Sequence, residues 1–249
     1  MVNQHKSSVL LYLCLFIIGI MIIPSLVSCG KSGVSAGSNS NARLQIVNLS
    51  QDIQPFNLYA YFIKQSTSSY SYPYASGYFL VNVVDTPYQI RTAQTVNGVN
   101  PTNLLTLRDT LRPKIPYTWF VTGLKADSSL TSIFTVDTGS VPASGRGKVR
   151  FVNASPSTTG LDLTANGTIA FTNVKYKKAT GYIELTAGSY NLNVAATNAP
   201  TTVLASQQNF TVLDGKLYTM YFYGLASKTD SAAYGTNIIL NSLPPGTTY

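Results

Sequence analysis

Few side chains in this sequence can do chemistry, and their positions narrow that chemistry sharply. The chain holds two cysteines, Cys14 and Cys29, and one histidine, His5. Cys29 carries a thiol between two small residues, Ser28 and Gly30, and a thiol is a nucleophile that can take an acyl group. It follows an apolar run from Val9 to Ile23 that Lys6 precedes. A basic start, an apolar stretch and small residues at a cut site read as a secretory signal. The run falls short of the roughly 20 residues of a membrane span, and Pro24 follows it. Cleavage before Cys29 removes both His5 and Cys14. What is left has no imidazole and Cys29 as its single thiol, which excludes Ser-His-Asp and Cys-His catalysis. It also excludes zinc and iron sites built on His or Cys, so no metal or cofactor is expected.

The stretch Leu26-Val27-Ser28-Cys29-Gly30 resembles a bacterial lipoprotein box. The resemblance implies that Cys29 is diacylated, that the chain is cut before it and that the new amine is acylated. Residues 1–28 are then the signal peptide, and the protein is lipid-anchored at the bacterial outer membrane, on either the periplasmic or the cell-surface face. Residues 29–41 are the lipidated cysteine and a Ser-, Gly- and Asn-rich tether, flexible by composition.

Acid–base chemistry would rest on carboxylates: Glu184 and eight aspartates, scattered and mostly beside turn residues. The most plausible enzyme class is then a glycosidase, because two carboxylates can suffice for that chemistry. The expectation is instead a non-catalytic structural or interaction module. The formal net charge of +8 favours anionic lipid, lipopolysaccharide or acidic glycan as a partner, besides an envelope protein; on address, nucleic acid is not expected. Candidate anion contacts are Arg146, Lys148 and Arg150, alternating along one strand, and the cluster Lys175, Lys177 and Lys178. The competing reading is a solvated surface whose lysines blunt strand edges. Tyr70, Tyr72, Tyr74 and Tyr78 surround Pro73 in a Ser-rich insert. Their rings could stack on sugars as a ligand-binding loop, or form one packed face of a strand. Asn48 and Asn153, two residues before a serine, read as Asx turns. Asp109-Thr110-Leu111 and Asp230-Ser231-Ala232 are similar to the short O-glycosylation signal of some bacterial envelopes.

The elements that must position these residues come as a repeat. Ala42–Ser50 matches Gly147–Ser155, Ala75–Phe79 matches Ala179–Ile183, Tyr88–Arg91 matches Tyr190–Asn193, and Tyr117–Leu124 matches Tyr218–Leu225. Two tandem domains are expected, at 42–138 and 147–249, joined through a Gly-, Ser- and Pro-rich segment. Runs rich in Val, Ile, Thr, Tyr and Phe alternate with turn residues, so each copy reads as all-β. Roughly seven strands point to an immunoglobulin-like sandwich. Val149 and Phe151 face one side and Lys148 and Arg150 the other, and Leu44 and Ile46 likewise oppose Arg43 and Gln45. Thr186–Ser189 and Leu213–Lys216 read as hairpin-type turns. Trp119, matched by Met220, reads as a core position.

Val149–Pro156, Leu161-Asp162-Leu163, Gly188–Val194 and Asp214–Thr219, in that order, resemble the domain-of-unknown-function 4397 family of secreted bacterial β-sandwich domains. Through the repeat the resemblance extends to residues 41–136, where Gln51-Asp52 replaces Pro156-Ser157 and Arg112-Pro113-Lys114 replaces the Asp-Gly turn. The resemblance implies a fold and an address and carries no catalytic residues.

Overall fold

The alternation of apolar and polar residues builds strands throughout the computed structural model, which describes residues 40–93 and 100–241. The expected signal sequence and Cys29 lie outside the described residues. The first copy contains β1 (Asn41–Asn48), β2 (Phe56–Ala60), β3 (Ile63–Lys64), β4 (Phe79–Asn82), β5 (Tyr88–Thr92), β6 (Asn103–Thr106), β7 (Pro116–Thr122) and β8 (Thr131–Val136). The second contains β9 (Arg146–Asn153), β10 (Leu161–Ala165), β11 (Thr168–Val174), β12 (Lys178–Ala179), β13 (Ile183–Thr186), β14 (Gly188–Ala196), β15 (Ala199–Val212), β16 (Leu217–Tyr223) and β17 (Gly235–Leu240). Each copy is a β-sandwich, with sheet orders β4-β1-β7-β8 and β3-β2-β5-β6 in the first. The second repeats this order as β12-β9-β16-β17, with β13 also on β9, and β11-β10-β14-β15. The opening strand of each copy is central and pairs in parallel with the penultimate one, β1 with β7 and β9 with β16.

Both copies lie within one compact unit. Their cores are separate: Leu44, Ile46, Leu58, Ile90 and Trp119 in the first, and Phe151, Leu161, Leu163, Leu192 and Met220 in the second. A third cluster joins them: Val47, Leu49, Phe120 and Ile133 pack with Val152, Ala154, Tyr221 and Ile239. The polar-out face expected of β1 and β9 is therefore buried, because the two central sheets pack on each other through it. β7 and β9 are buried on both faces over nearly their whole length. The result is four stacked sheets with three apolar layers. Parting the copies would re-expose these side chains at about 1.5–3 kcal/mol each.

The copies point the same way. Thr122 Oγ1, at the end of β7, donates to the carbonyl of Ala154, just past the end of β9, at 2.5 Å. Nearer the strand starts, Arg150 reaches Val136 and Thr135 of β8. Equivalent heights thus meet, and the strand starts of both copies share one end of the stack.

Local devices recur at matched positions. Asn48 Oδ1 accepts from Ser50 N and Asn153 Oδ1 from Ser155 N, both at 3.1 Å, which are Asx turns. Tyr117 OH accepts from Arg112 N, and Tyr218 OH from Leu213 N. Thr186–Ser189 and Leu213–Lys216 join strands of different sheets, so neither is a hairpin. The tight hairpin of the second copy is β10–β11, where Asn166 and Gly167 adopt φ of 49° and 80°. In the first copy the same two-residue turn is Tyr61-Phe62, at 47° and 65°.

Candidate functional site

The Tyr-rich stretch takes a different course in the first copy. Residues 63–77, between the Tyr61-Phe62 turn and Tyr78, form only the short β3, whereas residues 168–181, one fewer between the matched turn and Tyr182, form the long β11. Backbone bonds pin the stretch over the sandwich: Tyr70 N to Phe56 O at 2.7 Å, Asn48 N to Tyr74 O at 3.2 Å and Ser76 N to Ile46 O at 2.9 Å. Asn57 Oδ1 accepts from Ser66 Oγ and Ser69 Oγ, and Asn48 Nδ2 donates to Tyr70 O. These bonds leave an open cleft of about 530 Å³ lined by the Gln65–Ser71 stretch, Tyr74, Ala75, Ser76, Phe79 and Leu80.

The four tyrosines have different tasks. Tyr70 is half-buried, with its ring against Phe56 and Phe79, and burial pushes its hydroxyl pKa up to about 12. Tyr72 lies edge-on to Tyr223 of the second copy, and burial also pushes its pKa up to about 12. Tyr78 is sunk between the copies: its hydroxyl donates to Asp137 Oδ2 at 2.5 Å and accepts from Asn241 Nδ2 at 2.9 Å. Arg43 lies over its ring. Tyr74 alone is exposed, at 69 %, on the rim of the cleft. The four candidate ligand contacts thus divide into one exposed ring, one wall and two packing residues.

The basic candidates separate as well. Arg150 is buried and pairs with Asp137 across the two copies. It also donates to Thr219 Oγ1, Val136 O and Thr135 Oγ1. Asp137 is a saturated acceptor, taking Thr118 Oγ1 at 2.5 Å and Thr135 Oγ1 at 2.9 Å besides Tyr78. Lys148 is buried, donating to Ser140 and lying 3.7 Å from Glu184. Neither is open to an external anion; the face they share became the seam. Arg146 remains exposed at the strand-start end. Lys175, Lys177 and Lys178 are exposed at the other end, and Lys175 edges a smaller cleft of about 230 Å³ with Gly160, Asn173 and Thr197. Thr110 and Ser231 are both exposed.

Sequence reasoning missed the seam. Around it, matched positions carry different groups: Gln45 corresponds to Arg150 and Asn241 to Asp137. Tyr182 corresponds to Tyr78, its hydroxyl donating to Asn241 and Arg150 lying over its ring. One half of a pseudo-twofold network is thus neutral and the other charged. Other carboxylates hold backbone. Asp52 caps Lys125 and Ala126, Asp214 caps Gly145 and Arg146, and Asp162 accepts from Thr197, Thr172 and Asn173 N. Among the described residues no group of three or more His, Cys, Asp or Glu side chains is placed to hold a metal ion.

Among families, the model of a domain of unknown function, number 4397, matches residues 42–164 and again residues 147–245. No curated protein matches the chain significantly.

Proposed function

Since the chain belongs to the domain-of-unknown-function 4397 family, whose description assigns no chemistry, we propose from its geometry that it is a non-catalytic, glycan-binding lipoprotein of the bacterial outer membrane. Cys29 carries the lipid, the fused sandwiches form a rigid platform, and the cleft at residues 65–80 takes the sugar. The observation that carries this reading is the cleft itself, built by a stretch that folds as strand β11 in the second copy but leaves the sheet after β3 in the first. Tyr74 offers an exposed flat ring for the apolar face of a pyranose, Tyr70 and Phe79 form a fixed wall, and serine hydroxyls meet the sugar hydroxyls. The lining holds no carboxylate, which argues against glycosidase chemistry there.

Titration of the protein against a panel of envelope and host polysaccharides at low and high salt tests the reading. Binding that survives high salt and falls at least tenfold in Tyr74→Ala supports it, because stacking, unlike ion pairing, is not screened. Tyr74 is exposed, so its truncation leaves the melting temperature unchanged. Wild-type affinity in Tyr74→Ala would exclude this cleft.

A further inference from the structure

We propose that the end of the stack where the chain enters β1 is a bilayer-seating surface, with the Tyr61-Phe62-Ile63 hairpin as its apolar wedge. The proposal rests on the lipid-anchor reading above and goes beyond it by orienting the platform. The first observation is the hairpin turn. A two-residue turn of this hand needs positive φ at both positions and favours Asn-Gly, the pair found at Asn166-Gly167 of the second copy. The first copy holds the same conformation with two bulky aromatic residues, for which positive φ is strained. Neither is recovered in packing, since Tyr61 is 63 % and Phe62 57 % exposed, and Ile63 beside them is 63 % exposed. Strained and exposed aromatic side chains at a rigid tip fit a surface that would receive them. Arg91 fixes the tip from below, lying over the rings of Tyr59 and Phe62.

The second observation is where the tip points. Tyr61 N bonds Pro87 O, and Val83 N bonds Ser40 O, so the hairpin, the 83–87 loop and the entry of the chain share one end. Val84, 68 % exposed, extends the apolar tip. Exposed Lys64, Arg108, Arg112, Lys114 and Arg146 surround this end. The acids there are Asp85, Asp109, Asp214 and Glu184, Asp214 committed to two backbone N–H groups and Glu184 to Ala143 N and Lys148. Aromatic rings ringed by cations match a headgroup region with anionic lipid. Cys29 precedes Ser40 by eleven residues, a reach of at most about 40 Å. The tether enters the fold at this end, and the apolar tip with its surrounding cations selects this end for the bilayer. The cleft lies toward the other end, where Tyr70 meets the start of β2 and Tyr74 meets the end of β1, and it would face away from the lipid.

The test uses the intact acylated protein reconstituted in phosphatidylethanolamine–phosphatidylglycerol vesicles, with and without lipids brominated on their acyl chains. Bromolipid should quench the added indole of Phe62→Trp and spare that of Tyr74→Trp, with the buried Trp119 as the common background. An unquenched Phe62→Trp, or equal quenching at both positions, overturns the proposal. A second arm uses Cys29→Ser protein, which has no anchor, with the same vesicles added from outside. Adding Tyr61→Asn and Phe62→Gly should raise its melting temperature yet weaken vesicle binding at least tenfold; unchanged binding overturns the wedge. Mass spectrometry of residue 29 scores the anchor separately, so an unacylated cysteine refutes the lipoprotein reading while the second arm still decides the wedge.

Discussion

Replacing Asp137 with Asn tests whether the two copies fold as one body. The substitution keeps the side-chain shape and removes the charge that faces Arg150, whose side chain is 5 % exposed. Breaking one partner of a buried pair costs about 3–5 kcal/mol, because the other charge stays in a poor solvent. Asn keeps one oxygen for the Tyr78 and Thr118 hydroxyls that meet Oδ2, while its amide replaces the Oδ1 that takes Thr135 and Arg150, so at least about 3 kcal/mol is expected here. Arg150→Gln should cost a similar amount: Asp137 keeps three hydroxyl donors and loses its cation. The double variant should cost only about 1–2 kcal/mol, since Gln and Asn already occupy the matched positions 45 and 241. A coupling energy of at least about 2 kcal/mol follows. Guanidinium unfolding read by Trp119 fluorescence and by far-ultraviolet circular dichroism measures it. With a slope of about 4 kcal/mol per molar, each single variant moves the midpoint down by about 0.8 M. Trp119 sits in the first core and Arg150 in the second copy. A Trp119 midpoint unmoved by Arg150→Gln, or single costs that simply add, would refute the shared-body reasoning.

Two further outcomes are expected. Gly224 has φ of +92°, and a Cβ there would lie 2.1 Å from Ala233 O. Gly224→Ala should therefore cost at least about 2 kcal/mol and lower the melting temperature by about 4–8 °C, whereas Gly145→Ala, strained in φ but with open space around it, should cost only about 1 kcal/mol. The second outcome concerns alkaline pH. Burial pushes the hydroxyl of Tyr182 up to about 12 and that of Tyr78 higher still, the charge of Asp137 adding to the shift. The folded state then holds protons that the unfolded chain releases near pH 10. Stability should be intact below about pH 10 and fall above it by about 1.4 kcal/mol per pH unit per group. Tyr182→Phe should flatten that slope, as followed by urea midpoints between pH 9 and 12.

The fold was legible where one periodicity governed the residues. Leu44 and Ile46, with Val149 and Phe151, announced strands with a buried face, and the matched Asn-x-Ser pairs announced their turns. What misled was the assumption that the opposite face meets water. Val47, Leu49, Phe120, Val152 and Tyr221 fall on that face and are apolar. In Tyr117-Thr118-Trp119-Phe120-Val121 they make a nearly continuous apolar run, the pattern of a strand covered on both sides. Arg150 was read as a surface cation because its partner, Asp137, stands 13 residues away behind a turn-rich linker, where no spacing rule applies. The tyrosines misled for a similar reason: an alternating series shows which rings share a face, and the second copy decides which face is covered. The Tyr61-Phe62 turn was invisible because its residues contradict the turn chemistry; only the matched Asn166-Gly167 shows what the backbone does there.

The central placement of β1 sets how the protein answers to force. A pull on the chain ahead of Ser40, opposed by a load held in the cleft, runs lengthwise along β1. That strand is bonded to β4 on one side and to β7 on the other. The rungs of both ladders lie across the pull and are loaded together in shear, so they do not open one after another like a zipper. A strand at the sheet edge would resist the same pull with one ladder only. Shear loading makes the rate of forced unfolding, and not equilibrium stability, the quantity that governs survival under flow.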